Sequence, residues 1–204
     1  MCLFSVTVYS YIYSHPVDKA KGIELITMAA DNGLQIAQAN LGLQYYNGNG
    51  VEVSYSLALK YFKLALTELQ ENDKKYSLNG LSPLSDEQRN NIMYVIASCY
   101  LGNGPDQSAI DSYYWFKKYL STHPSSCKGC DKELRAKKLI DAINKDLTSR
   151  CSTCNKKKGG DLPMMICSGC RVVSYCTKEC QRAGWGSHKE ICKQLKELIA
   201  EKKG

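Results

Sequence analysis

The chain has 204 residues and a formal net charge of +7, and this length predicts one or two domains. Its longest apolar N-terminal run, Leu3–Tyr13, is broken by serine and threonine, and no lysine or arginine precedes Lys19. Neither a transmembrane helix nor an export signal is therefore expected. The expected location is intracellular, cytoplasmic or nuclear, where clustered cysteines are metal ligands or catalytic groups more often than disulfides.

Charge and cysteine are unevenly distributed along the chain. Residues 1–120 carry 9 Lys/Arg against 11 Asp/Glu, a net charge of −2, whereas residues 121–204 carry 18 against 9, a net charge of +9. Nine of the eleven cysteines also follow residue 120. This division predicts two modules with different physical properties.

The first part of the chain contains an internal repeat. An offset of 54 residues places Gly48-Asn49-Gly50 on Gly102-Asn103-Gly104, and Tyr61-Phe62-Lys63 on Trp115-Phe116-Lys117 without a gap. A second offset, of 36, places Ile26 on Phe62. A polar insert from Glu71 to about Asp86 accounts for the difference between the two offsets. Self-similarity of this kind indicates a repeat architecture.

Each repeat is predicted to be a pair of helices. Ala37, Leu41 and Tyr45 recur at the spacing of one helix face. The Gly-Asn-Gly turn tolerates positive φ and is expected to end that helix. A second apolar face follows, formed by Ala58, Tyr61, Phe62, Ala65 and Leu66. A single helix hairpin cannot bury both of its faces, so such units are expected to stack into a solenoid.

These residues resemble the Sel1-like repeat, a relative of the tetratricopeptide repeat. The best match is AADNGLQIAQANLGLQYYNGNGV, residues 29–51, and the resemblance extends over about residues 5–120. It implies a mostly α-helical solenoid that acts as a scaffold for binding another protein. The aromatic side chains of the repeats are interpreted as core residues, so the resemblance does not identify the ligand.

Residues 121–150 are predicted to be a helical linker. The helix covers Lys132–Leu147, and its apolar residues are Leu134, Leu139, Ile140, Ile143 and Leu147. A Cys-x-x-Cys pair, Cys127 and Cys130, precedes it, with His123 four residues ahead of the pair. These thiols are interpreted as unligated, and a third zinc site is the alternative. Cys99, beside Val95 and Ile96, is interpreted as a small core residue.

The last quarter of the chain holds eight candidate metal ligands. Their spacing is Cys151-x2-Cys154-x12-Cys167-x2-Cys170-x5-Cys176-x3-Cys180-x7-His188-x3-Cys192. Thiolate and imidazole are the ligands that zinc prefers, and eight of them suffice for two closed, structural zinc ions. A disulfide framework would leave one thiol unpaired, and a catalytic or redox cysteine would not need seven companions. Two structural Zn²⁺ ions are therefore predicted.

The span from Cys151 to Cys192 resembles the MYND-type zinc finger, with all eight ligand positions in order. The resemblance implies an interleaved arrangement. Cys151, Cys154, Cys176 and Cys180 would hold the first zinc, and Cys167, Cys170, His188 and Cys192 the second. Spacing alone does not separate this from sequential pairing of the first four and last four ligands. Interleaving would tie distant segments together in a module too small for a hydrophobic core to suffice.

The resemblance also implies a shallow groove that binds proline-containing peptides. Ser168, Gln181 and Trp185 match the positions that the family uses for this contact. An indole offers a flat apolar surface, and the other two side chains offer hydrogen bonds to an extended backbone. Gly184 stands where an acidic residue is common in the family. Residues 193–204 are predicted to extend the final helix.

The combined prediction is a zinc-binding adaptor, in which the solenoid binds one protein and the zinc finger binds a proline-containing peptide of another. No Ser/His/Asp set, carboxylate pair or phosphate loop is present, so no enzyme activity is expected. Two alternatives remain at this point. One is nucleic-acid binding by the basic half, which includes the Lys156–Lys158 run. The other is a role as the substrate adaptor of an enzyme, for example in ubiquitin transfer.

Overall fold

The structure is a computed structural model that describes residues 19–67, 84–102, 106–123, 129–159 and 163–200. Within these ranges the helices are α1 (Lys19–Asp31), α2 (Gln35–Asn47), α3 (Tyr55–Leu66), α4 (Asp86–Gly102), α5 (Asp106–Thr122), α6 (Asp131–Ser149) and α7 (Lys178–Ala200). The strands β1 (Met165–Ile166) and β2 (Ser174–Tyr175) pair antiparallel, with Met165 opposite Tyr175. The predicted mostly α-helical class is confirmed. The first residues of the predicted solenoid and most of the predicted insert lie outside the described ranges.

The described residues fall into two compact units, one ending at Ile92 and the other beginning at Met93, inside α4. In the first unit, α2 packs against both α1 and α3. Ile26, Ala30, Ala37, Leu41 and Tyr61 form its buried apolar cluster. The Tyr45 and Tyr61 rings stack with their centroids 5.9 Å apart. The small and aromatic residues of the repeat thus form a helix-hairpin core, as the sequence predicts.

The Gly-Asn-Gly turn ends α2 by left-handed backbone geometry. Gly48 has φ 72° and Gly50 has φ 77°, values that cost glycine little and other residues more. The amides of Gly48 and Asn49 both donate to the carbonyl oxygen of Gln44, at 2.8 and 3.1 Å. These two hydrogen bonds satisfy a carbonyl that the end of the helix would otherwise leave unpaired. The chain then reverses, and Ser54 caps α3 by accepting from the amide of Leu57.

Gly42, in the middle of α2, sets how closely α2 approaches α3. A Cβ added at Gly42 would lie 2.8 Å from two ring carbons of Phe62, which is fully buried. Alanine at this position is therefore expected to destabilise the first unit by about 1–2 kcal/mol, after its better helix propensity is counted. Urea unfolding of Gly42→Ala measures this, and the loss should shrink in a Phe62→Leu background. Equal stability of Gly42→Ala and wild type would contradict the close packing.

The second unit joins helices of the predicted solenoid and linker to the cysteine-rich segment. Its buried cluster includes Phe116 and Tyr119 of α5, Ile140 of α6, and Val173 and Tyr175 beside the cysteines. Both α6 and α7 pack against α5, and β2 contacts α6 and α7. Cys99 is fully buried, and burial raises the pKa of its thiol to about 12, which agrees with a core role.

Helix α6 packs along one face against α5 and the cysteine-rich segment. The buried positions Ala136, Ile140, Ile143 and Leu147 follow a 4-3-4 spacing, which is the period of a helix stripe. Leu134 lies off this stripe and is 50% exposed, although it belonged to the predicted apolar set. At the end of α6 the chain enters the cysteine-rich segment directly, through Arg150 and Cys151.

No helix among the described residues has the length and the continuous apolar character that crossing a bilayer requires.

Candidate metal centre

The eight predicted ligands form two separate groups in the structure. In each group the ligand atoms all lie within 4.8 Å of one another. The all-cysteine cluster contains Cys151, Cys154, Cys176 and Cys180, and the histidine cluster contains Cys167, Cys170, His188 and Cys192. This grouping is interleaved along the chain, and it differs from the sequential pairing that the spacing alone left open.

The Cys-x-x-Cys pairs of the two clusters lie on turns of the same geometry. The amide of Asn155 donates to the carbonyl oxygen of Cys151, and the amide of Arg171 donates to that of Cys167, both at 2.9 Å. Asn155 and Arg171 each follow the second cysteine of their pair, and both adopt left-handed φ values, 59° and 58°. Such a turn directs two sulfur atoms toward one point, which is the reason that zinc sites use the x2 spacing.

The remaining ligands come from β2 and α7. Cys176 follows β2 directly, and Cys180 lies in the first turn of α7, where its amide donates to the hydroxyl of Thr177. His188 and Cys192 are four residues apart on α7, so they lie on the same side of the helix. One long helix therefore supplies ligands to both clusters.

The interatomic distances fit tetrahedral zinc. The Sγ atom of Cys176 lies 3.5 Å from those of Cys154 and Cys180, and those of Cys167 and Cys192 are 3.8 Å apart. The Sγ of Cys170 is 3.5 Å from Nε2 of His188. Zinc–ligand bonds of ordinary length give about 3.8 Å between two sulfurs and about 3.5 Å between sulfur and nitrogen. A disulfide would require about 2.0 Å, and the described cysteines form none.

The protonation behaviour of the two clusters also suits a cation. Burial lowers the pKa of His188, which keeps its imidazole neutral and able to coordinate. Side-chain hydrogen bonds to Cys180 and Cys154 raise the pKa of Cys176 to about 12. For Cys192, burial and the neighbouring charge of Cys170 raise the pKa to about 12. Despite burial, backbone hydrogen bonds lower the pKa of Cys151 to about 6, and backbone and side-chain hydrogen bonds lower the pKa of Cys167. In each cluster one thiol thus ionises more readily and another less readily than a free thiol, and a divalent cation would favour ionisation of all of them.

The two clusters differ in exposure. All four members of the histidine cluster are buried, whereas Cys154 of the all-cysteine cluster is exposed. Gly169 lies against the buried cluster, because a Cβ there would come within 2.8 Å of the Cys192 sulfur. The histidine cluster is therefore part of the core, and the all-cysteine cluster is nearer the surface.

Several residues that the sequence did not single out hold the cysteine-rich segment together. The hydroxyl of Ser174 lies 2.8 Å from the carbonyl oxygen of Arg150 and 3.2 Å from those of Leu147 and Thr148. The hydroxyl of Thr153 donates to the carbonyl oxygen of Cys180 at 2.6 Å, which joins the first cysteine turn to α7. Short polar residues between ligands are the only sequence signal for either contact.

Gly184 has a structural reason to lack a side chain. A Cβ at this position would collide with Oγ1 of Thr153, while one at Gly186 would meet nothing within 4 Å. Gly184→Ala is therefore expected to displace Thr153 and weaken zinc retention at the all-cysteine cluster by about tenfold. Gly186→Ala is the matched control and should retain zinc normally, with a helix up to about 1 kcal/mol more stable. Competition with a chelating dye measures both, and equal retention by the two variants would contradict the role of Gly184.

The predicted peptide-binding residues lie at the surface of the same segment. Trp185 is 44% exposed, and its ring centroid lies 6.0 Å from that of His188 in an edge-on arrangement. Gln181 is partly buried one helical turn earlier on α7, and Ser168 is exposed between Cys167 and Cys170. Ile166 of β1, which no motif in the sequence marks, is also 55% exposed.

The other Cys-x-x-Cys pair is only partly described. Sγ of Cys130 lies 3.4 Å from Nε2 of His123, and Cys127 lies outside the described residues. The interpretation of these thiols as unligated stays a prediction.

Two protein families match the chain. Residues 151–192 match the MYND finger, and residues 9–34 and 35–67 match the Sel1 repeat. A MYND finger typically holds two structural zinc ions, one in a four-cysteine cluster and one in a cluster of three cysteines and a histidine. The two predicted structural zinc ions agree with this pattern. Both matched modules are protein-interaction modules and not enzymatic ones.

Curated relatives match the MYND region. The chain is 39% identical over 62 residues to "SET domain and MYND-type zinc finger protein 6" of Schizosaccharomyces pombe, covering 29% of this chain and 12% of that protein. It is 44% identical over 48 residues to the human histone-lysine N-methyltransferase SMYD3, covering 24% of this chain and 11% of that protein. The chain thus spans only about an eighth of the length of these relatives.

No solved structure matches the chain significantly. The family matches and the paired ligand clusters nevertheless agree on what the chain contains. The chain therefore contains a zinc-binding MYND finger preceded by Sel1 repeats, and both are protein-interaction modules.

Proposed function

We propose that the protein is an adaptor without enzyme activity, in which the zinc finger binds a proline-containing peptide and the repeats bind a second protein. The all-cysteine cluster and the histidine cluster each hold one structural Zn²⁺. With four protein ligands to each ion, no coordination position remains for a catalytic water. The thiols require a reducing compartment, either cytoplasm or nucleus.

The exposed indole of Trp185 is the observation that carries the peptide proposal. Large aromatic side chains are usually buried when they serve only packing, yet 44% of this residue faces solvent. Its contact with the His188 ring fixes its position through a residue of the histidine cluster. Zinc binding would then hold the indole ready for a proline or leucine side chain, with Gln181 and Ser168 available to bind the peptide backbone.

The repeats offer their own exposed apolar residues. Leu25 and Met28 of α1 are 55% and 56% exposed, and Leu57 and Leu64 of α3 are 38% and 42% exposed. Leu57 and Leu64 are seven residues apart, so they lie on one face of α3. These side chains support a protein-binding role for the first unit. Nothing in the described structure or in the comparisons favours nucleic-acid binding.

Trp185→Ala is expected to weaken binding of a proline-containing peptide by about 30-fold, the loss typical of an aromatic hot spot. The measurement is fluorescence polarisation with a labelled peptide that contains two prolines and a leucine. Ile199→Ala is the matched control, because Ile199 is a 42%-exposed apolar residue of the same helix. Both variants should keep two zinc ions per chain. Unchanged affinity in Trp185→Ala, with zinc intact, would overturn the proposed peptide site.

A further inference from the structure

Helix α7 carries a row of cationic side chains on its exposed surface. All of them are solvent-exposed. The row, here called the basic stripe, consists of Lys178, Arg182, Lys189, Lys193 and Lys196.

The spacing of the basic stripe places it on one line along the helix. Successive members are 4, 7, 4 and 3 residues apart, so at 3.6 residues per turn they occupy an arc of about 60°. Trp185 lies three residues after Arg182 and four before Lys189, within about 20° of the same arc. The indole of the proposed peptide site is therefore flanked on both sides by positive charge.

The acidic residues of α7 follow a different line. Glu179, Glu190 and Glu197 are separated by 11 and 7 residues, which places them together about 40° beyond the edge of the basic stripe. The helix thus presents a narrow positive line beside a negative one. A narrow positive line fits an extended peptide. A nucleic-acid duplex is broader, so its phosphates would also lie near the glutamates and be repelled by them.

Most of the charge on the basic stripe is not used within the protein. Its one ion pair among the described residues joins Arg182 to Glu179 at 3.8 Å, with both side chains about three-quarters exposed, a geometry that contributes little. Lys189, Lys193 and Lys196 form no ion pair with any described residue. These three charges are therefore available to a ligand.

We propose that the basic stripe binds acidic residues that flank the proline motif of the peptide, so that the ligand is an acidic, proline-containing segment. This inference rests on the proposed peptide site at Trp185. From Trp185 to Lys196 the helix rises about 16 Å, the length of about five residues of extended peptide. The acidic residues are therefore expected within about five positions of the residue that contacts the indole.

A competing explanation assigns the lysines to the finger itself. Seven thiolates with two Zn²⁺ ions carry a net charge of −3, and nearby lysines would offset it. In that case, removing lysines would weaken zinc retention without changing which peptides bind.

The test uses the zinc-loaded full chain and labelled peptides with the same proline–leucine core. One peptide has four glutamates beside the core, and the other has four glutamines. The glutamate peptide is expected to bind about tenfold more tightly, as for three exposed ion pairs. Raising the ionic strength from about 0.05 to about 0.5 M should abolish most of that difference.

Two double variants distinguish the effect of the basic stripe from the effect of the protein's overall positive charge. Lys189→Gln/Lys193→Gln should reduce the preference for glutamate to about twofold while keeping two zinc ions. Lys138→Gln/Lys145→Gln removes the same charge from exposed positions on α6 and should keep the tenfold preference. Equal affinity for the two peptides, or zinc loss with the preference intact in the stripe variant, would overturn the inference.

Two further arms identify which proposal fails. A glutamate peptide with its prolines and leucine replaced by alanine should bind weakly, and equal binding would overturn the proposed function at Trp185. A labelled DNA duplex should bind more weakly than the glutamate peptide. Tighter binding that depends on Lys189 and Lys193 would make the stripe a nucleic-acid site and overturn the peptide inference.

Discussion

Two zinc ions per chain are expected from elemental analysis of the purified protein, and two double variants are expected to give different results. Cys154→Ser/Cys176→Ser removes two ligands of the all-cysteine cluster and should leave about one zinc. Cys154→Ser/Cys170→Ser removes one ligand from each cluster and should leave almost none. Loss of a thiolate ligand from a closed site removes a large part of the binding free energy.

These variants distinguish the interleaved grouping from the sequential one. Under sequential pairing, Cys154 and Cys170 would share an ion, so the two double variants would exchange their results. The single variants Cys176→Ser and His188→Ala provide the control, and each should lose about one zinc. One zinc or none in the wild-type protein would contradict the two-ion site altogether, and three would assign a metal to Cys127 and Cys130.

The ligand identities could be read from the sequence, but their grouping could not. The spacing of cysteine and histidine shows which side chains suit zinc, because the chemistry of the ligands is local. Which four share an ion depends on contacts such as that between Cys167 and Cys192, 25 residues apart. In the sequence that grouping rested on a family resemblance, and in the structure it follows from distances.

The repeat pattern predicted the first unit well, for a similar reason. A helix face and a Gly-Asn-Gly turn are both local features. The environment of α6 was harder to predict. The periodic helix between the two modules is predicted to be a linker, and the structure adds that Ile140 and Ile143 are buried in one cluster with Tyr175. Sequence periodicity shows that a helix has a buried face, but it does not show what covers that face.

Because α5, α6 and the finger share one buried cluster, removal of zinc is expected to affect all three. Chelation of zinc is expected to unfold the finger and to increase amide exchange in α5 and α6 by about a hundredfold or more. Nine of the eighteen buried side chains in the cluster belong to residues 151–195. If these leave the cluster, Tyr119 and Ile143 remain in a cluster with half as many buried side chains. Hydrogen exchange followed by mass spectrometry measures the change peptide by peptide.

The first unit provides the internal control for that experiment. Its cluster around Leu41 and Tyr61 contains no residue of the finger, so exchange in α2 and α3 should change little. Restoring zinc should restore the protection of amides in α5 and α6 from exchange, because zinc binding is coupled to folding and its removal is reversible. Unchanged exchange in α5 and α6 after full zinc removal would show that these helices hold together without the finger. The metal would then stabilise only the finger, and the mutual burial of Phe116, Ile140 and Tyr175 would contribute little to the stability of the second unit.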